Sequence, residues 1–206
     1  MEIGTGEGPA RAEVVRPEAG EPSFLLVLTH GAGADPGSPD LLAVAGAALG
    51  LGGVVALVTQ PYRVKGWRAP GSADRQDAAW VEVIAALRAA AGADLPLIQG
   101  GRSNGARVAC RTAGAVGALG VIALAFPLHP PGRPDRSRAA ELAAAGTDVL
   151  VVNGDRDPFG IPEASGQTRV VVLAGESHPL SRRPGDAGRA VGAWLRVLLA
   201  ANGAAG

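Results

Sequence analysis

Residues 95–105, Leu-Pro-Leu-Ile-Gln-Gly-Gly-Arg-Ser-Asn-Gly, decide how this chain folds. The apolar run Leu95-Pro96-Leu97-Ile98 reads as a buried strand, and Ala106-Arg107-Val108-Ala109-Cys110 opens a small-residue helix behind it. Between them, Gly101-Arg102-Ser103-Asn104-Gly105 fits G-x-S-x-G, a tight strand-to-helix turn that lifts a serine hydroxyl clear of a sheet. A side chain at either flanking glycine would meet the neighbouring strand or helix, so the chain could not turn so sharply. In a chain with 31 glycines the pattern can arise by chance. Its position between a strand signal and a helix signal gives it weight.

The same alternation extends in both directions. Phe24–Leu28, Val54–Leu57-Val58, Val121–Ala125, Val149–Val152 and Val170–Leu173 are short apolar runs, each too short for a helix and suited to strands covered on both faces. Helical spacing separates them. Ser38-Pro39 reads as an N-cap and first turn for Leu41, Val44, Ala45 and Ala48. Trp80, Val83, Ile84, Leu87 and Ala91 form an apolar stripe, which assigns Trp80 to the core. Ala106, Ala109, Cys110 and Ala113 line a further face, on which Cys110 reads as a small buried hydrophobe. A helix is expected near Ser137–Ala145, and Val191, Trp194, Leu195 and Leu198 mark the last one. Strands alternating with helices imply right-handed crossovers and a mostly parallel sheet of about six to seven strands between helix layers. Residues 1–22 read as a tail or an edge strand at Arg11–Val15, 23–202 as one domain, and 203–206 as a tail. There is no room for a helical lid.

Composition narrows the class. The chain has 206 residues, 47% of them apolar, enough for a substantial core. Nineteen basic residues balance nineteen acidic ones, which gives no reason to expect a nucleic-acid partner. A single cysteine excludes an internal disulfide framework and a cysteine zinc cluster. No apolar run has the length of a membrane span, and Met1-Glu2-Ile3-Gly4 does not open a secretory signal, so a cytoplasmic protein with no cofactor is expected.

A serine hydroxyl is a weak nucleophile and needs a base, itself oriented by a carboxylate. In the elbow arrangement these follow in the order Ser, Asp or Glu, His. Of three histidines, His30 precedes Ser103, and His129 precedes the most plausible acid; His178 alone meets the order. Asp157 and His178 both follow strands, at the edge where an open α/β sheet gathers its site. Asp155 and Glu176 stand as alternative acids. Thr29-His30-Gly31-Ala32-Gly33-Ala34 is a glycine-rich loop after the first long strand. It reads either as an oxyanion loop, with the N–H near Ala32 joining that of Asn104, or as a phosphate-binding turn. The second reading lacks the G-x-x-x-x-G-K-[ST] lysine. His30 is expected to position this loop by a hydrogen bond. Tyr62, Arg63 and Trp67, in the loop after the next strand, are candidates for a substrate pocket or for ordinary packing.

These residues resemble the α/β-hydrolase superfamily, and within it the small lidless, dienelactone-hydrolase-like branch that includes the testis-expressed and KANSL-type hydrolase-like proteins. The resemblance spans about residues 24–200. It rests on Thr29-His30-Gly31-Ala32-Gly33, Gln60-Pro61-Tyr62-Arg63, Gly101–Arg107, Phe126-Pro127-Leu128-His129-Pro130-Pro131-Gly132 and Gly154-Asp155-Arg156-Asp157-Pro158-Phe159-Gly160. It departs at Ala106, where glycine is frequent, and at Pro179 behind His178. It implies an α/β-hydrolase fold and a Ser103, Asp157, His178 triad; beside it, His30, Gly31, Tyr62, Arg63 and His129 stand as candidates for contact with substrate. The expected function is hydrolysis of a small ester, thioester or related acyl substrate by a carboxylic ester hydrolase. The alternatives are a hydrolase fold used as a binding or scaffold module, and a phosphate or nucleotide binder using the His30–Ala34 loop.

Overall fold

The computed structural model describes residues 1–203; of the tail expected at 203–206, residues 204–206 lie outside the described residues. Eight strands form one sheet: β1 (Glu2–Ile3), β2 (Ala10–Val15), β3 (Phe24–Thr29), β4 (Gly53–Thr59), β5 (Leu97–Arg102), β6 (Gly120–Leu124), β7 (Asp148–Gly154) and β8 (Thr168–Leu173). The helices are α1 (Pro39–Leu49), α2 (Pro61–Val64), α3 (Ala73–Ala91), α4 (Asn104–Val116), α5 (Ala139–Ala143) and α6 (Pro184–Ala201). The order across the sheet is β1-β2-β4-β3-β5-β6-β7-β8, antiparallel at β1, β2 and β4 and parallel from β4 onward.

The strands are apolar on both faces because both faces are covered. Phe24, Leu26 and Leu28 of β3 pack with Leu41 and Val44 of α1 and Val191 and Leu195 of α6. Leu25 and Val27, pointing the other way, pack with Trp80, Val83, Ile84 and Leu87 of α3. The same alternation sends Ile122 and Leu124 of β6 toward α6, and Val121 and Ala123 toward α4 and α5. Trp80 is core, as its spacing requires, and its indole N–H donates to Gln99 Oε1 at 2.7 Å.

Three boundaries differ from the sequence reading. The sheet has eight strands because residues 1–15 add a two-stranded antiparallel edge, with Arg11 to Val15 paired to β4. β5 begins at Leu97 rather than Leu95 and runs on through the glycines to Arg102. Pro96 has no N–H for a ladder, though its carbonyl accepts from Leu25 N at 2.9 Å, while Gly100 and Gly101 let β3 and β6 close in on either side. β6 stops at Leu124 because Ala125 takes a left-handed conformation, φ 46°. Among the described residues, no helix is long and apolar enough to cross a membrane.

Candidate active site

Ser103 lies between the last residue of β5 and the first of α4, at φ 53° and ψ −111°. A non-glycine residue held there carries backbone strain of about 1–3 kcal/mol, tolerated only where the surroundings enforce it. They do so here. Ser103 N–H donates to the Leu124 carbonyl at 2.9 Å, and the Ser103 carbonyl accepts from Arg107 N at 3.2 Å. On the chain's other side, a Cβ on Gly31 would lie 3.2 Å from Ser103 Cβ, so glycine lets the loop after β3 close over the serine.

Two further strand ends bring in the histidine and the acid. His178 Nε2 is 2.9 Å from Ser103 Oγ, and His178 Nδ1 is 2.9 Å from Asp157 Oδ2. This geometry places the ring proton on Nδ1, donating to the carboxylate, and leaves Nε2 to accept from the hydroxyl. The Asp157 side chain has no exposed surface. Its carboxylate also accepts from Phe159 N at 2.9 Å and from Asn153 Nδ2 at 3.3 Å. Phe159 stacks on the His178 ring with centroids 4.2 Å apart. A buried carboxylate held by three donors is pre-oriented to fix an imidazole.

The other two acids face elsewhere. Asp155 is exposed, and its Oδ1 accepts from Gly175 N at 2.8 Å. Glu176 is buried, and it accepts from the backbone N–H groups of Arg182 and Arg183, the latter at 2.6 Å. Both brace the turn that carries His178, and neither touches its ring.

Asn104 N–H and Ala32 N–H, the two expected oxyanion donors, have no hydrogen-bond acceptor among the described residues. Asn104 opens α4, where free N–H groups and the helix dipole favour negative charge. Its side chain is fixed separately, with Nδ2 donating to Gln76 Oε1 at 2.7 Å.

Of the residues expected to meet substrate, His30 is fully buried, with Nδ1 2.9 Å from the Gly31 carbonyl and Nε2 accepting from Gln60 N at 3.0 Å. No ring atom is left for a ligand. His30 holds the glycine-rich loop to the end of β4, and its burial pushes its pKa below the ordinary histidine value. Arg63 is likewise committed: its Nε donates to the Ala34 carbonyl at 2.9 Å. Tyr62 stands in the short helix α2, buried, edge-on to His30 with centroids 5.7 Å apart. With Trp67, Gln76, Trp80 and Val83 it lines a mostly apolar cleft that neither Ser103 nor His178 enters. His129 donates from its backbone to the Phe159 carbonyl at 3.0 Å, and its ring abuts Gly160. It braces the acid loop.

Four residues near the site were not singled out by the sequence reading. Asn153 and Phe159 flank the acid, and both belong to the run Asn153–Gly160 whose turn-rich composition was the available signal. Gln76 is opposite Asn104. Arg102 is one residue before the serine, and its Nη2 donates to the His178 carbonyl at 3.3 Å. Its Nε lies 3.2 Å from Oδ2 of Asp40, which is fully buried.

The whole fold has close structural counterparts. A lidless α/β serine hydrolase from Xanthomonas campestris superposes with a TM-score of 0.79 at 20% identity, over 96% of this chain and 93% of that one. An α/β serine hydrolase homologue from Coxiella burnetii gives 0.78 at 18% identity, over 95% and 96%. Dienelactone hydrolase from Anabaena variabilis gives 0.71 at 20% identity, over 97% and 94%. No curated protein sequence matches the chain. The sequence profile of the alpha/beta hydrolase domain matches residues 22–184. That span covers the glycine-rich loop, the elbow, the acid and the histidine, and on it the chain belongs to the α/β-hydrolase family.

Proposed function

We propose that this protein is a serine hydrolase acting on a small carboxylic ester, thioester or related acyl compound. The observation that carries the reading is the continuous hydrogen-bonded line from Ser103 Oγ through His178 to Asp157, at 2.9 Å and 2.9 Å. In this reading His178 Nε2 takes the hydroxyl proton as Ser103 Oγ bonds to the acyl carbon. The carbonyl π electrons move to the oxygen, which the Asn104 and Ala32 N–H groups receive. Collapse of the tetrahedral intermediate expels the alcohol or thiol, protonated by His178, and leaves an acyl-serine. Water activated by the same imidazole then hydrolyses that ester. Asp157 holds the ring in the tautomer that both steps require.

The exposed loops at the ends of the parallel strands leave the serine without a covering domain, which suits a small or protruding acyl group. The test is turnover of p-nitrophenyl acetate by wild type and Ser103→Ala. The reading requires wild-type hydrolysis that falls by more than about 10³-fold in the variant, with unchanged melting. Equal turnover by the two proteins would contradict it.

A further inference from the structure

His178 hangs from the loop after β8, the edge strand of the sheet, which among the described residues has β7 as its one strand neighbour. The nucleophile sits on β5, in the interior of the same sheet. Something must keep an edge loop in register with a central one, because a shift of about 1 Å between reacting groups costs on the order of 10²-fold in rate. Besides the Ser103–His178 hydrogen bond itself, the Arg102 side chain spans the gap. Arg102 Nη2 donates to the His178 carbonyl at 3.3 Å, and Arg102 is the chain neighbour of Ser103. Its other end faces Asp40, with Nε and Oδ2 3.2 Å apart.

That ion pair is costly to build. Asp40 has no exposed surface, and burial raises its pKa against the opposing pull of the Ser38 hydroxyl, the Arg102 charge and the first backbone N–H groups of α1. Neither Asp40 oxygen nor Arg102 Nε has an aligned hydrogen bond. Such a pair is a poor stabilising device compared with apolar residues of similar volume. The contact is electrostatic and leaves Nη2 of the guanidinium to donate to the base loop, while Nη1 lies beside Gly31. We propose that Arg102 is a positioning residue that ties the histidine loop to the serine elbow, with Asp40 as its buried counter-charge; this rests on the serine hydrolase reading.

The experiment compares wild type with Arg102→Lys and with the double variant Asp40→Asn/Arg102→Met. The lysine keeps a cation for Asp40 but lacks the second nitrogen that reaches His178. The double variant removes both charges, so no unpaired carboxylate is left buried to unfold the chain. In each, kcat for p-nitrophenyl acetate falls about 10- to 100-fold. KM stays within about twofold, the pattern of a lost transition-state interaction. A second readout needs no turnover: the downfield Nδ1 proton of His178, sharp in wild type, broadens in both variants as the loop loosens. A folded variant with wild-type kcat and an equally sharp resonance overturns the proposal. A wild type that shows the sharp resonance but no ester turnover contradicts the hydrolase reading instead, and the resonance comparison still decides the role of Arg102.

Discussion

A Cβ on Gly105 would stand 2.7 Å from the Thr29 carbonyl oxygen and 2.8 Å from that of His30. The first turn of α4 is therefore pressed onto the end of β3, backbone against backbone. Nothing flexible lies in between to give way. Gly105→Ala is expected to lower stability by about 1–3 kcal/mol, the usual cost of overpacking. For a chain of this size that is a drop of several degrees in melting temperature, about 2–4 °C per kcal/mol. Differential scanning calorimetry checks it; a midpoint within one degree of wild type would contradict the close approach.

Asp157 and Asp155 are two residues apart, yet one faces the His178 ring and the other the Gly175 N–H. Asp157→Asn should cost about 10⁴-fold in kcat, because an amide no longer selects the correct tautomer. Asp155→Asn, an exposed change away from the ring, should leave kcat within about twofold. Steady-state kinetics on both variants decides between them, and a larger loss at Asp155 would reassign the acid.

Cys110 is buried on α4, and burial pushes its thiol pKa up to about 12. The thiolate is the reactive form, so the folded protein should resist iodoacetamide at neutral pH and react fully in denaturant. Mass spectrometry after timed exposure measures this. Rapid modification under native conditions would show that the helix is not packed as described.

His30 ties stability to pH. Its folded pKa lies below the ordinary 6.5 because burial opposes the charged ring, and Nε2 is already accepting from Gln60. Above pH 6.5 neither folded nor unfolded state binds the proton, so the contribution of His30 is intact. As pH falls below that value the unfolded chain takes up a proton that the folded ring refuses, and stability is lost until the folded pKa is reached. The loss is at most about 1.4 kcal/mol per pH unit. Asp40 acts in the opposite sense: its raised pKa makes the fold bind the extra proton, so its share rises as pH falls through the folded value. Urea titrations between about pH 7.5 and 5.5 should show a steeper decline for wild type than for His30→Gln. Parallel declines would contradict the assignment.

Much of this architecture is legible in residue order. Buried strands announce themselves as uninterrupted runs such as Phe24–Leu28, because covering both faces removes the alternation a one-sided strand would show. The elbow is legible because its glycines answer a local steric demand. The order Ser, Asp, His singles out three side chains that the fold brings within hydrogen-bonding distance, since parallel strands deliver their following loops to one edge. What was not legible depends on distance through space. Arg11–Val15 reads from sequence as either a tail or an edge strand, and the choice is made by the free edge that β4 offers it. Asp40 and Arg102 lie 62 positions apart, and no local pattern couples a helix N-terminus to a residue inside the elbow. His30 and His129, in loops, and Arg63, in the short helix α2, are polar residues that follow strands, the usual mark of a ligand contact, although the loop-positioning bond of His30 was expected. Each instead makes a hydrogen bond to neighbouring backbone: His30 to Gly31 and Gln60, Arg63 to Ala34 and His129 Nδ1 to Pro130, as chain folded against a sheet must satisfy its own carbonyls and N–H groups.

The most direct measurement is labelling with a fluorophosphonate, followed by peptide mapping, on wild type and His178→Ala. An activated Ser103 is modified in wild type, at the peptide containing Gly101–Gly105. The rate falls by more than about 10²-fold when the imidazole is removed, the scale of a lost general base. A folded wild-type protein that takes up no label at Ser103, or one labelled equally fast without His178, would contradict the claim that this line of three residues is a working hydrolytic site.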